Sequence, residues 1–149
     1  MIRIIYIADS SKHFDEAIKE YLKRLNKVEL VKIKPTKLWN KSQIIQKDTE
    51  NINKRLEKFS EDFNVLLSLN WKQLDTLSFT SLIKKRLDQG ININFIIGWA
   101  FGLDEDILNY ISYKLQLSKL TFPHSLALLV LLEQIYRSFQ IINWRNYHY

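Results

Sequence analysis

TFPHSLALLVLLEQIYR, residues 121–137, holds the longest apolar run in the chain: Leu126, Leu128, Leu129, Val130, Leu131 and Leu132 follow one another almost without a polar break. Pro123 and His124 introduce the run at a helix start, and Glu133, Tyr136 and Arg137 end it. The apolar stretch falls well short of the ~20 residues that a membrane span requires, and an acid closes it. It reads as a helix buried in a core or an interface, and the elements before it must supply the surface on which it packs.

Working back from that helix, short apolar runs alternate with helical patterns. Residues 2–8, IRIIYIA, are β-branched and aromatic and end at Asp9-Ser10-Ser11, which reads as a buried strand. Phe14, Ala17, Ile18, Tyr21, Leu22 and Leu25 then recur at helical spacing, with Asp9 to Ser11 offering a cap. Val28 to Ile33 forms a second strand closed by Pro35. Residues 41–59 form a charged helix with a thin apolar stripe at Ile44, Ile45, Ile52, Leu56 and Phe59.

Residues 63–69 make a third strand, and Phe79, Leu82, Ile83 and Leu87 mark a helix that Gly90 terminates in a left-handed cap. Residues 93–98 make a fourth strand; after a turn through Gly102, Asp104 to Tyr110 is expected to form a short helix, followed by a short strand or loop at Leu115 to Leu117. Strands apolar on both faces that alternate with helices define an α/β layered domain with a largely parallel sheet. No internal repeat, low-complexity segment or linker interrupts it, so one domain over 1–149 is expected.

Composition bounds the chemistry. The 149 residues are 46% apolar and 26% charged, a balance typical of globular domains. There is no cysteine, which leaves no disulfide scaffold and no thiolate metal site. His13, His124 and His148 are scattered without a helix-spaced pair, so a zinc site has little support and no metal is expected. The nucleophile elbow of covalent hydrolases is missing. The N-terminus lacks the apolar h-region of a secretory signal, and a cytoplasmic, non-membrane protein is the expectation. Lys and Arg number 22 against 16 acids, a net +6, compatible both with a polyanionic partner and with an ordinary basic protein.

Glycine is scarce, so Gly98 at the end of the fourth strand stands out, since ligands in open α/β sheets bind beyond the carboxyl ends of strands. Two readings apply, a turn with positive φ or a close backbone approach, and the residue alone favours the turn. His124 serves packing and ligand contact about equally well on sequence grounds. The tail NWRNYHY crowds Trp144, Arg145, Tyr147, His148 and Tyr149 together. Such a tail stacks on nucleobases or docks through its rings on its own core or a partner subunit.

LQLSKLTFPHSLALLVLLEQIYRSFQI and the terminal NYHY resemble the C-terminal half of the ribosomal RNA large subunit methyltransferase H family, small members of the SPOUT superfamily. The family pattern runs Leu-Ser-x-Met-Thr-Phe-Pro-His, an apolar run, Glu-Gln-x-Tyr-Arg-Ala and a late Tyr-His. The resemblance extends more weakly over the opening strand, residues 16–25, Gly98 and Gly102-Leu103.

It implies an α/β fold with a C-terminal trefoil knot, a homodimer, S-adenosylmethionine as methyl donor, and methylation of the N3 ring nitrogen of a pseudouridine in large-subunit rRNA, on the ribosome. Carried over by position, it implies that Leu69, Gly98 and the loop Leu117, Ser118, Lys119, Leu120, Thr121 and Phe122 surround the donor. It likewise implies that Tyr147 and His148 face the donor of the second subunit, and that Arg137 holds phosphate or the base. The chain departs from the pattern at Trp99, where a second glycine is usual, at the shortened turn after Leu69, at Leu128 and at 8–12. These departures keep open an alternative, a knotted rRNA-binding protein with its donor pocket closed by Trp99.

Overall fold

A computed structural model describes residues 1–9, 13–98, 102–106 and 108–143. Five parallel strands form one sheet in the order β2-β1-β4-β3-β5: β1 (Ile2–Ile7), β2 (Val28–Ile33), β3 (Phe63–Gln73), β4 (Ile93–Ile97) and β5 (Tyr113–Gln116). Four helices flank it: α1 (Asp15–Arg24), α2 (Lys41–Glu57), α3 (Thr76–Asp88) and α4 (His124–Ile142).

Period-two alternation divides the central strands between two cores. Ile2, Ile4, Tyr6 and Ala8 face one side, with Val65, Phe95 and Ile97, and there meet Leu128, Leu131, Leu132 and Ile135 of α4 together with residues of α1 and α3. Ile5, Ile7, Leu66 and Ile96 face the other side and meet Ile52 and Leu56 of α2. The opening stretch is thereby explained: α4 lies against the sheet and packs on both α1 and α3, so it needs apolar residues round more than one stripe.

Local signals set most boundaries. Asn40 caps α2 by accepting from the Ser42 N–H at 2.8 Å, and Asp75 caps α3 by accepting from Ser78 N–H at 2.7 Å. Gly90, at φ 73°, ends α3 in a Schellman motif, with Gly90 N–H bonded to the Leu87 carbonyl and Ile91 N–H to that of Arg86.

Four expectations require correction. The segment from Asp104 forms no helix among its described residues, because side chains from elsewhere occupy its backbone groups. Thr49 Oγ1 accepts from Asp104 N–H at 2.9 Å, Asn53 Oδ1 from Asn109 N–H at 2.8 Å, and Asn64 Nδ2 donates to the Tyr110 carbonyl at 2.9 Å. α1 starts only at Asp15, with Phe14, not Asp9, at its N-cap, left-handed at φ 64° and without a side-chain cap; Ser10 and Ser11 lie outside the described residues. Asp15 and Glu16 instead offset the helix dipole in its first turn. β3 continues beyond residue 69 to Gln73, its register with β5 slipping between Leu67 and Lys72 so that residues 68–71 arch out of the ladder. Gly98 does not have a positive φ; Gly102 does, at 78°.

Candidate functional site

All five strands point the same way, so their carboxyl ends share one edge of the sheet. There the arch of β3, the end of β4 and the loop after β5 enclose a cleft of about 130 Å³. Its walls include Leu69, Gly98, Leu117, Ser118, Leu120 and Phe122, six of the eight residues that the resemblance assigned to a donor. Lys119 and Thr121 belong to the same loop, exposed, and are not wall residues. An adjoining cleft of about 250 Å³ shares Leu67, Ser68, Leu69 and Gly98 and extends to Gly102, Leu103 and Glu105. Together the two reach the ~300 Å³ at which small-molecule sites begin.

Each wall has a local cause. Gln116 Nε2 donates to the Leu69 carbonyl and ties the arch to β5. Ser118 Oγ accepts from Leu120 N–H at 3.0 Å and shapes the following loop. At Gly98 the reason for glycine is a close approach: an added Cβ would lie 3.1 Å from Leu103 Cγ. Leu69 and Leu120 are 59% and 73% exposed at the rim, apolar side chains that a planar ligand ring can cover.

His124 also lines the cleft while its ring packs 5.7 Å from that of Tyr6. Burial lowers its pKa, so near neutral pH the imidazole is uncharged, with one nitrogen donating and the other accepting. Sequence reasoning left His124 undecided and missed Leu67, Ser68, Ile97 and Ala127 as walls; the strand-end position of the first three was the available signal.

Arg137 lies elsewhere. It is 13 residues along α4 from His124, or about 20 Å at the helical rise. Its Nη2 and Nε bond Glu133 Oε1 at 2.7 and 2.9 Å. Tyr147, His148 and Trp99 lie outside the described residues.

The cleft's composition fits an adenosyl group: Leu and Phe side chains for the faces of a base, hydroxyls and strand-end amides for its edges, and a glycine where a side chain would crowd the wall. A parallel α/β sheet with a cleft at its carboxyl edge belongs to the class of open α/β proteins that bind ligands beyond their strand ends, and comparison narrows it. The family model described as "Predicted SPOUT methyltransferase" matches residues 1–148.

Similar proteins include the ribosomal RNA large subunit methyltransferase H of Thermosipho melanesiensis, 38% identical over 99% of both chains. That of Mycoplasmopsis pulmonis is 39% identical over 99% of this chain and 98% of its own. The putative enzyme of Methanococcus maripaludis is 39% identical over 92% and 91%. The chain belongs to the ribosomal RNA large subunit methyltransferase H family of SPOUT methyltransferases.

Proposed function

We propose that the protein methylates N3 of a pseudouridine in large-subunit rRNA, using S-adenosylmethionine, on assembled or nearly assembled ribosomes in the cytoplasm. It acts as a homodimer whose C-terminal segment is tied in a trefoil knot. The observation that carries this reading is the strand-end cleft around Gly98, Leu117 and Phe122, in a chain related end to end to proteins named for rRNA methylation. The half-buried Leu126, Leu129 and Val130 on α4 support a second copy packing beside that helix.

When bound, the donor supplies a methyl carbon activated by its sulfonium. Leu69, Leu117, Leu120 and Phe122 would cover the adenine, and the backbone at Gly98 and Ser118 would read its edges, with Lys119 and Thr121 in the same loop around it. The chain's remaining work is orientation and proton removal. His148 of the second copy, or a water it positions, would accept the proton leaving the ring nitrogen, a transfer to which an imidazole is suited. Tyr147 packs beside it, and Arg137, about 20 Å along α4 from His124, would hold an RNA phosphate outside the cleft of its own subunit.

Mass spectrometry of large-subunit rRNA nucleosides from cells with and without the protein is the decisive experiment. Loss of one methylated pseudouridine is expected, and an unchanged nucleoside profile overturns the assignment. Calorimetry with S-adenosylmethionine separates the enzyme from a non-catalytic rRNA-binding protein, which would give no heat.

A further inference from the structure

The loop between β2 and α2, KPTKLWNK at residues 34–41, presents the most exposed large side chain among the described residues. Trp39 is fully exposed and Leu38 is 47% exposed. The loop is pinned at both ends rather than loose. Thr36 N–H donates at 2.9 Å to Oδ1 of Asp48, a buried carboxylate of α2 itself, and Asn40 closes the other end as the α2 cap. Between the pins the chain holds an indole in water beside the half-exposed Leu38, an aromatic face open to a stacking partner.

The surroundings define the partner's chemistry. Lys34, Lys37 and Lys41 are all exposed, and residues 34–41 include no acid. Lys37 Nζ lies 3.9 Å from Asp9, a weak pairing of two exposed groups. A flat aromatic face among cations suits a nucleobase flanked by phosphates. Trp71 provides the internal contrast: it is 55% exposed on the arch of β3, and Lys114 Nζ already lies 5.1 Å from its ring. Position completes the argument. Asp9 follows β1, so Lys37 reaches the carboxyl end of β1, the strand next to β4 and Gly98. From the end of β2 to that of β4 is two strand spacings, about 10 Å. One RNA strand spans that gap within a few nucleotides.

We propose that residues 34–41 form an RNA contact in which Trp39 stacks on an unpaired base while Lys34, Lys37 and Lys41 take neighbouring phosphates, leading the strand toward the cleft at Gly98. That the RNA is ribosomal rests on the methyltransferase reading; the contact itself does not.

The test measures binding of the full-length chain to a labelled single-stranded oligoribonucleotide of mixed sequence and to purified large ribosomal subunits. Trp39→Ala is expected to weaken both by about tenfold, and Trp39→Phe to stay within about twofold of wild type. Replacing Lys34, Lys37 and Lys41 together by alanine is expected to reduce the slope of log affinity against log salt by about 2. Wild-type affinity in Trp39→Ala overturns the proposal. So does equal rescue by Trp39→Leu and Trp39→Phe, which marks an apolar contact with a protein surface instead of a stacked base. Because Trp39 covers none of the core, the melting temperature should not move. Donor calorimetry runs alongside: a wild type that binds no donor removes the methyltransferase reading and leaves the stacking result to stand or fall by itself.

Discussion

At the amino end of the sheet, Asn64 and Asn94 are fully buried, and at the carboxyl end Leu69, Leu120 and Trp39 stand in water. Asn94 Nδ2 donates to Asn64 Oδ1 at 2.8 Å and to Asp62 Oδ2 at 3.1 Å, and Asp62 holds Arg3 at 3.0 Å. Asn64 Nδ2 in turn donates to the carbonyls of Phe59 and Tyr110. In this network the buried amides match one another and the neighbouring carbonyls, and at the other edge apolar groups stay outside where a ligand can cover them. One edge of the sheet is locked by hydrogen bonds and the other carries exposed apolar side chains around a cleft, and both are formed by the same parallel strands.

The comparison breaks first if the lock is dispensable. Asn64→Ala removes the side-chain donor to the Tyr110 carbonyl and orphans one donor of Asn94, while the Phe59 carbonyl keeps the Asp62 N–H at 3.1 Å, and urea denaturation is expected to show a loss of about 2 to 4 kcal/mol. Donor affinity of the folded fraction should not change. The complementary prediction concerns the other edge. Gly98→Val drives a branched side chain against Leu103 and should weaken donor binding by about 10- to 100-fold in calorimetry. A wild-type titration curve would show that the wall at Gly98 does not form the site.

His124 sharpens the contrast with pH. Burial lowers its folded pKa below the unfolded value of ~6.5, so the unfolded chain takes up the proton first as pH falls. Its contribution is therefore complete above ~6.5 and declines as pH drops from there toward the folded pKa. Thermal melts of the wild type should lose stability across that window relative to His124→Phe, and parallel curves would refute the effect. The smallest effect belongs to Asp75, whose carboxyl the Ser78 backbone N–H holds below its ordinary pKa. Stability from this cap is present above ~3.9 and is lost as pH falls through the lower folded value. Asp75→Ala and wild type should therefore differ at neutral pH and converge in acid.

Strand and helix positions were readable because each depends on neighbours in sequence. β-branched runs gave β1, β2 and β4, helical periodicity gave α2 and α3, and Gly90 fixed the end of α3 through its own φ. Residues 104–110 were not readable, because their backbone is claimed by Thr49, Asn53 and Asn64, 46 to 56 residues away in the chain. Gly98 was misjudged for the same reason: its neighbour Leu103 is set by the fold. Ahead of α2, only Pro35 of the stretch KPTKLWNK was read, as the end of β2, because nothing in the sequence shows that Trp39 faces water; the anchor at Asp48 decides that.

By itself, then, the sequence determined the layered α/β class, the burial of α4, the family, and six of the residues that wall the cleft. Tertiary structure alone decided that those residues meet at the carboxyl edge, that Arg137 sits about 20 Å along α4 from that edge, and that a pinned loop presents Trp39 beside it. Propensity, periodicity and motif are properties of adjacent residues. A cleft and an exposed platform are properties of distances between strands, which exist only once the chain has folded.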